Sequence, residues 1–245
     1  MKTKLLTTAF ILALLFTATA GTTRAQTAVP GVFQGTTLNY DYNLHWESTD
    51  PTATPPPEYV NFNNTRSIQI KVNQVSGTTI TLEVTRHFRN GTESSETGQI
   101  DINQEIIDVS FGFLIVRANI SANEKIYPSG GRTTITETIL RTYAQGTRET
   151  NHYLSEDADE DTYEKIEIYF DKATGVATEY HYESRETSDS YTTTTKETLT
   201  LDSSILWIIP EFPTYAVLLI LIFASLLMAL YGKKLRAHPS QTKTK

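Results

Sequence analysis

The 245-residue chain contains no cysteine. Disulfide staples, zinc fingers, thiol redox chemistry and cysteine nucleophiles are therefore excluded, and any exported domain must hold together through its core alone. The familiar catalytic signatures are missing too. There is no Gly-rich phosphate loop, no His-Glu-x-x-His zinc helix and no Gly-x-Ser-x-Gly elbow. Acid is absent after Glu211, where Lys233, Lys234, Arg236, Lys243 and Lys245 stand without a single Asp or Glu.

What the sequence does have is one long uncharged run. Residues 214–232 pass without a charge, and as a helix they span roughly 28 Å, close to the hydrocarbon thickness of a bilayer. Only Ser225 interrupts the aliphatic and Phe residues of the run between Tyr215 and Tyr231, so the polar stripe of a buried globular helix is missing. A transmembrane helix over 214–232 is expected, with Lys233, Lys234 and Arg236 as its cytoplasmic anchor by the positive-inside rule. At the other end, Met1–Lys4 is basic, residues 5–20 are mostly apolar, and Ala18-Thr19-Ala20 or Thr23-Arg24-Ala25 offers a cleavage site. Residues 1–25 read as a secretory signal peptide, with an uncleaved N-terminal anchor as the alternative. In both readings residues 26–204 are exported, and 205–213 form a juxtamembrane linker before the span and the basic tail, 233–245.

The exported part is acidic. Between Gln26 and Ile209 there are 13 Lys and Arg against 27 Asp and Glu, a net charge of −14 that the whole-chain value of −7 conceals. Such a surface repels phosphate backbones, so nucleic acid is not an expected partner. Three sequons, at Asn63, Asn90 and Asn119, mark possible N-glycosylation sites, and Asn90-Gly91 is also a hairpin turn signal.

Period-two alternation dominates the exported part. In "TLNYDYNLHW", Leu38, Tyr40, Tyr42, Leu44 and Trp46 share one face; Ile68, Ile70, Val72 and Ile80, Leu82, Val84 follow the same rule across Ser76-Gly77-Thr78. The pattern returns in "TTITETILRTY", in "TRETNHYL", and in Ile166, Ile168, Phe170 and Val176, Thr178, Tyr180, Tyr182 about a turn at Gly175. "YTTTTKETLTL" reads as a last strand rather than a glycosylated stalk, because Leu199 and Leu201 keep the alternation. Two stretches differ: "ESTDPTATPPPEY" predicts an extended, unpaired loop, and "GFLIVRANISANEKIY" is either a strand covered on both faces or a short buried helix. The expected fold is all-β. Eight to ten strands form a single antiparallel meander curved into a half-barrel or barrel, with a β-sandwich as the alternative.

The tail Pro210-Glu211-Phe212-Pro213, apolar span and Lys233-Lys234-Leu235-Arg236 resembles the PEF-type C-terminal sorting or anchor signal of archaeal surface proteins. That resemblance implies an archaeosortase-like processing enzyme as a partner, acting at Pro210, Glu211 and Phe212. The tail beyond the span is longer than such signals carry, which fits a permanent single-pass type I anchor instead. "GVFQGTTLNYDY", "VSGTTITLEVTRHFRNGTE" and "YFDKATGVATEYHY" are similar, more loosely, to uncharacterised exported archaeal β-rich proteins, which implies a surface domain and no particular activity.

Candidates for chemistry are few. Asp157, Asp159 and Asp161 are spaced like the first ligands of a calcium loop, but Thr162 stands where the loop needs Gly and Ile168 where it needs a bidentate Glu. His45, His87, His152 and His181 could each offer a base, His181 beside Glu179 and Glu183 especially, yet alternation turns that face to solvent. Tyr40, Tyr42, Trp46, Phe88, Phe170, Tyr180 and Tyr182 form either a core or the wall of an apolar site. No catalytic, cofactor or metal residue is assigned. The leading expectation is a non-catalytic, membrane-anchored cell-surface domain for adhesion, envelope structure or binding of an external partner. A carrier of a lipid or other hydrophobic ligand comes second, and an extracellular hydrolase third. An unfilled apolar cavity separates the second from the first.

Overall fold

Alternating side chains at period two produce strands here because each strand has one face to bury, and most of the apolar positions fall on it. The computed structural model describes residues 28–204 except Gln145 and Asp189, with backbone alone at Ser203 and Ser204. The expected signal peptide, linker, transmembrane helix and tail, with Pro210, Glu211, Phe212, Lys233, Lys234 and Arg236, lie outside these residues. Among the described residues no helix is long and apolar enough to cross a membrane.

Ten strands make one sheet: β1 (Thr37–Ser48), β2 (Thr65–Ser76), β3 (Thr79–Phe88), β4 (Glu93–Asp101), β5 (Ile106–Ile107), β6 (Glu137–Tyr143), β7 (Gly146–Ala158), β8 (Thr162–Asp171), β9 (Ala177–Ser188) and β10 (Tyr191–Ser204). The spatial order is β5-β4-β3-β2-β1-β10-β9-β8-β7-β6, antiparallel throughout. Strands β5 and β6 are the two edges and do not pair with each other, so the sheet is single and open. Neither a closed barrel nor a two-sheet sandwich forms. The topology also differs from one continuous meander. The chain starts at the centre, steps to one edge, crosses through residues 108–136, and returns from the opposite edge until β10 seals against β1 from Leu38 to Ser48.

One face of the sheet carries Leu38, Tyr40, Tyr42 and Leu44 of β1, Ile68, Ile70 and Val72 of β2, Ile80, Leu82 and Val84 of β3, and Leu199 of β10, all buried. Each such side chain contributes about 1.5–3 kcal/mol on burial, whereas a cross-strand pair is worth about 0.2–1 kcal/mol. The buried face therefore sets the register. A one-residue slip would turn the whole set outward.

The crossing segment covers that face. Residues 108–136 contain neither strand nor α-helix, only a 3₁₀ turn at Gly112–Leu114, and Leu114, Ile115, Val116, Ile120 and Ile126 all enter the same core as the sheet. Irregular backbone can be buried only when its polar groups find partners. Val116 N–H donates to the Gly175 carbonyl at 2.9 Å, Asn119 N–H to that of Lys172 at 2.7 Å, and Asn151 Nδ2 to that of Ile120 at 2.9 Å. Gly175 is required at the β8–β9 turn. Its φ is +70°, and a Cβ there would lie 2.3 Å from the Val116 carbonyl oxygen.

The Pro-rich stretch is only partly the expected loop. Pro57 begins a short helix, α1 (Pro57–Asn63), because a proline in the first helical turn gives up no hydrogen bond and already has the right φ. Phe62 of α1 packs against the core.

Candidate functional site

The register lines up one row across three strands: Tyr153 of β7 faces Ile168 of β8, which faces Tyr180 of β9. With Ile166 and Phe170 this row floors a cavity of about 320 Å³, and Phe113, Val116, Ile126 and Tyr127 of the crossing segment form its other wall. The volume lies at the lower end of the range for small-molecule sites, about 300–1,000 Å³, which suits one chain or ring rather than a multi-chain lipid. Its lining is mainly apolar, with Glu105 and Thr133 the exceptions among aliphatic and aromatic side chains.

An aromatic train runs from the cavity along the inner face. Ring centroids of Tyr180 and Phe113 lie 5.1 Å apart, followed by Phe113–Phe111 at 6.3 Å, and Phe111–Tyr42 at 6.2 Å. These are tilted and edge-on contacts of the kind that add about 0.5–1.5 kcal/mol beyond burial. Next to the train is the inner-face carboxyl of Glu197, opposite Leu44 and Tyr182 in the ladder. Burial pushes its pKa above the ordinary carboxylate range, although its hydrogen bond to Tyr42 opposes the rise. The Tyr42 and Tyr180 hydroxyls are in turn pushed well up, by burial first and then by the nearby Glu197 charge.

At the mouth of the cavity are Glu105 and Tyr127. Tyr127 is buried, and desolvation together with the Glu105 charge pushes its hydroxyl up to about 12.

The opposite face of β6–β9 carries polar chemistry of another kind. His152 is buried, its Nδ1 lies 3.0 Å from Glu137 Oε1, its Nε2 lies 3.0 Å from Glu167 Oε1, and its ring stacks 4.5 Å from that of Tyr169. The Tyr169 hydroxyl donates to Glu167 at 2.9 Å, Arg141 lies 3.8 Å over the Tyr169 ring, and the same guanidinium grips Glu179 at 2.7 and 2.9 Å. Burial raises the Glu167 pKa, but Tyr169, Lys165 and His152 together outweigh it and hold the carboxyl below its ordinary value. Both ring nitrogens of His152 lie against carboxylate oxygens and its face is covered by Tyr169, so the ring is enclosed by side chains of its own sheet. This network pins strands together.

The other sequence candidates fall in separate places. His45 is exposed beside Glu47, His87 bonds Glu93 at 2.8 Å, and His181 bonds Glu179 at 3.3 Å. Asp159 is used by its own turn, where Oδ1 accepts from the Asp161 and Thr162 amides, and among the described residues no group of three or more His, Asp or Glu has the geometry of a metal site. Of the aromatic set, Phe170 and Tyr180 line the cavity, Tyr40 and Tyr42 are core, and Trp46 lies apart near Tyr59 of α1. Asn63, Asn90 and Asn119 are all exposed.

Half of the cavity was invisible to period-two alternation, since Phe113, Val116, Ile126, Tyr127 and Glu105 lie on irregular backbone. The only local sign was Pro128 followed by Gly130-Gly131, a turn signal beside an apolar run. No family model, curated protein or solved structure matches this chain.

Proposed function

We propose that the exported domain is a non-catalytic binder of a hydrophobic ligand, held against the inner face of the open sheet and tethered at the cell surface by a C-terminal membrane helix. The observation that carries this reading is the apolar cavity of about 320 Å³ between β7–β9 and the crossing segment. A domain that served only adhesion or envelope structure has no need of a concave apolar recess of this size, whereas a small-molecule site is built that way. The cavity thus favours ligand carriage over the adhesion role that composition alone puts first.

In this reading the sheet curves as a half-barrel around residues 108–136, and the ligand takes the remaining space. Export through the signal peptide, a type I anchor over 214–232, and cutting near Pro210, Glu211 and Phe212 by an archaeosortase-like enzyme belong to the same proposal, supported by the residue patterns at both termini. The acidic exported surface supports a partner other than nucleic acid.

Native mass spectrometry on the full chain, released from its own membrane in nanodiscs, tests the carrier reading. The expected result is an apolar adduct on the wild type that Ile168→Trp, which fills the cavity, removes while leaving the fold's circular dichroism intact. A wild-type chain without adduct, or an adduct indifferent to Ile168→Trp, would overturn it.

A further inference from the structure

The mouth of the cavity is built around one unpaired carboxylate. Glu105 has φ +59°, a left-handed conformation that costs an L-residue roughly 1–2 kcal/mol and is uncommon outside Gly, Asn and Asp. The chain holds it there through several devices. Asn103 and Ser129 tie the turn after β4 to the crossing segment, with Ser129 N–H donating to the Asn103 carbonyl at 2.9 Å and Asn103 Nδ2 to Ser129 Oγ at 3.0 Å. Gly130 and Gly131 then leave the room: a Cβ on Gly130 would lie 2.4 Å from the Gln104 carbonyl oxygen, and one on Gly131 would lie 2.1 Å from Glu105 Oε2. Gly130 thus lets the crossing segment approach the Gln104 backbone closely, and Gly131 lies directly against the Glu105 carboxylate.

That carboxylate has no cation. Among the described residues Glu105 makes neither an ion pair nor a side-chain hydrogen bond, although the chain pairs carboxylates readily elsewhere, as Arg141 with Glu179 and Arg148 with Asp171 show. The Tyr127 hydroxyl beside it is likewise without a hydrogen-bond partner among the described residues, and below both of them the cavity offers only apolar and aromatic walls apart from Thr133. An anionic head group would meet Glu105 in repulsion at the mouth and a net charge of −14 over the exported part. A donor-bearing or cationic head would satisfy Glu105 while its tail fills the cavity.

Building on the proposed carrier function, we infer that the ligand is a single-chain amphiphile with an amine head group, seated with its tail against Ile168 and Tyr180 and its head on Glu105. Tyr127 orients the head by its hydroxyl, and Glu105 selects it by charge. Fatty acids and other anionic amphiphiles are disfavoured at this site.

The test uses the full chain in nanodiscs and three photoreactive probes of equal length, diazirine-bearing decylamine, decanol and decanoate, with peptide mapping of the label on residues 166–170. The amine is expected to label the cavity at about tenfold lower concentration than the alcohol, and the carboxylate least, as one charge-assisted hydrogen bond requires. Glu105→Gln, at an exposed position, should bring the amine to the level of the alcohol and leave the alcohol unchanged, and Tyr127→Phe should weaken amine and alcohol alike. Equal or stronger labelling by decanoate, or a Glu105→Gln variant that lowers all three probes together, would overturn the head-group inference while the cavity remains a binding site. Absence of cavity label from every probe would overturn the carrier reading and this inference with it.

Discussion

Glu197 of β10 and Tyr42 of β1 lie on the same face of the β1–β10 ladder, Glu197 opposite Leu44 and Tyr42 opposite Leu199. The pair joins the strand that opens the fold to the strand that closes it. Because burial raises the Glu197 pKa above its ordinary value of 4.5, the folded chain retains a proton that the unfolded chain has already lost. The unfolded state then binds fewer protons, so this residue's contribution to stability falls as pH rises from about 4.5 through the raised folded-state pKa. Glu197→Gln cannot ionise. The difference between variant and wild type in urea midpoint should therefore grow in the variant's favour from pH 4 to pH 7, and a difference that is flat with pH would refute the burial of the charge.

Arg141 and Glu179 give the opposite sign on the outer face. Hydrogen bonds from His181 and Arg141, with the Arg141 charge, hold the Glu179 carboxyl below its ordinary value despite partial burial. Stability from this pair is present above about pH 4.5 and is lost as pH falls through the lowered folded-state pKa. With side chains 31% and 17% exposed, Glu179→Gln should cost about 1–2 kcal/mol at pH 7, the scale of a charge-assisted hydrogen bond reduced for exposure. The same substitution should cost much less below pH 3. Equal losses at the two pH values would mean that shape, not charge, holds the strands.

These two carboxylates also show what was legible in the sequence. Leu38, Tyr40, Tyr42 and Leu44 announce a half-buried strand by themselves, because the period of a strand is written in the order of its side chains. Glu197 shares parity with Leu199 and Leu201, so its place on the inner face could be read from the strand once that strand was recognised. The pairing of β1 with β10 could not be read. Alternation records which way a side chain points and nothing about which strand lies alongside, so two meanders sealed at the centre look the same as one. The cavity was hidden for a related reason: residues 111–118 are buried almost without interruption, and a segment buried on all sides has no period to detect. Glu105 offered no signal at all, since the residues packed against it, Gly130 and Gly131 among them, are more than twenty positions away in the chain.

Gly175 tests how firmly the crossing segment is fastened to the sheet. An alanine there must adopt φ near +70° and place its Cβ 2.3 Å from the Val116 carbonyl oxygen, so either the turn or the crossing segment has to move. The left-handed backbone alone costs roughly 1–2 kcal/mol, and displacing buried backbone adds to it. Gly175→Ala should lower stability by at least about 2 kcal/mol with an unchanged denaturant slope. Gly35→Ala, where φ is +89° and no atom lies within 4 Å of the added Cβ, isolates the backbone contribution and should lose less. Equal losses in the two variants would show that the close approach of Val116 contributes nothing.

The three sequons differ in what surrounds their hydroxyls, and that difference makes an ordered prediction. Thr65 of the Asn63 sequon is fully buried, and its hydroxyl accepts from Arg86 Nη2 at 2.7 Å, while Asn63 itself gives its carbonyl to Arg89. Arg86 is in turn stacked 4.3 Å from the Phe62 ring, so the hydroxyl cannot be freed without disturbing the C-terminal end of α1. Asn90 sits instead at the β3–β4 turn with Thr92 equally exposed, and its Oδ1 accepts from both the Thr92 amide and hydroxyl, which leaves the Asn90 amide nitrogen facing solvent. Asn119 is exposed with Ser121 beside it, although its φ of +58° and its N–H bond to Lys172 fix the backbone there. A transferase acting on folded chain needs both the amide and the hydroxyl in reach. Under the proposed export, peptide mapping of protein from its native host should therefore find glycan on Asn90, less on Asn119 and none on Asn63, and Asn90→Gln should remove the largest share of any carbohydrate mass. Full occupancy at Asn63 would mean that modification precedes the burial of Thr65, placing the transferase ahead of folding and leaving the finished surface with no say in the choice.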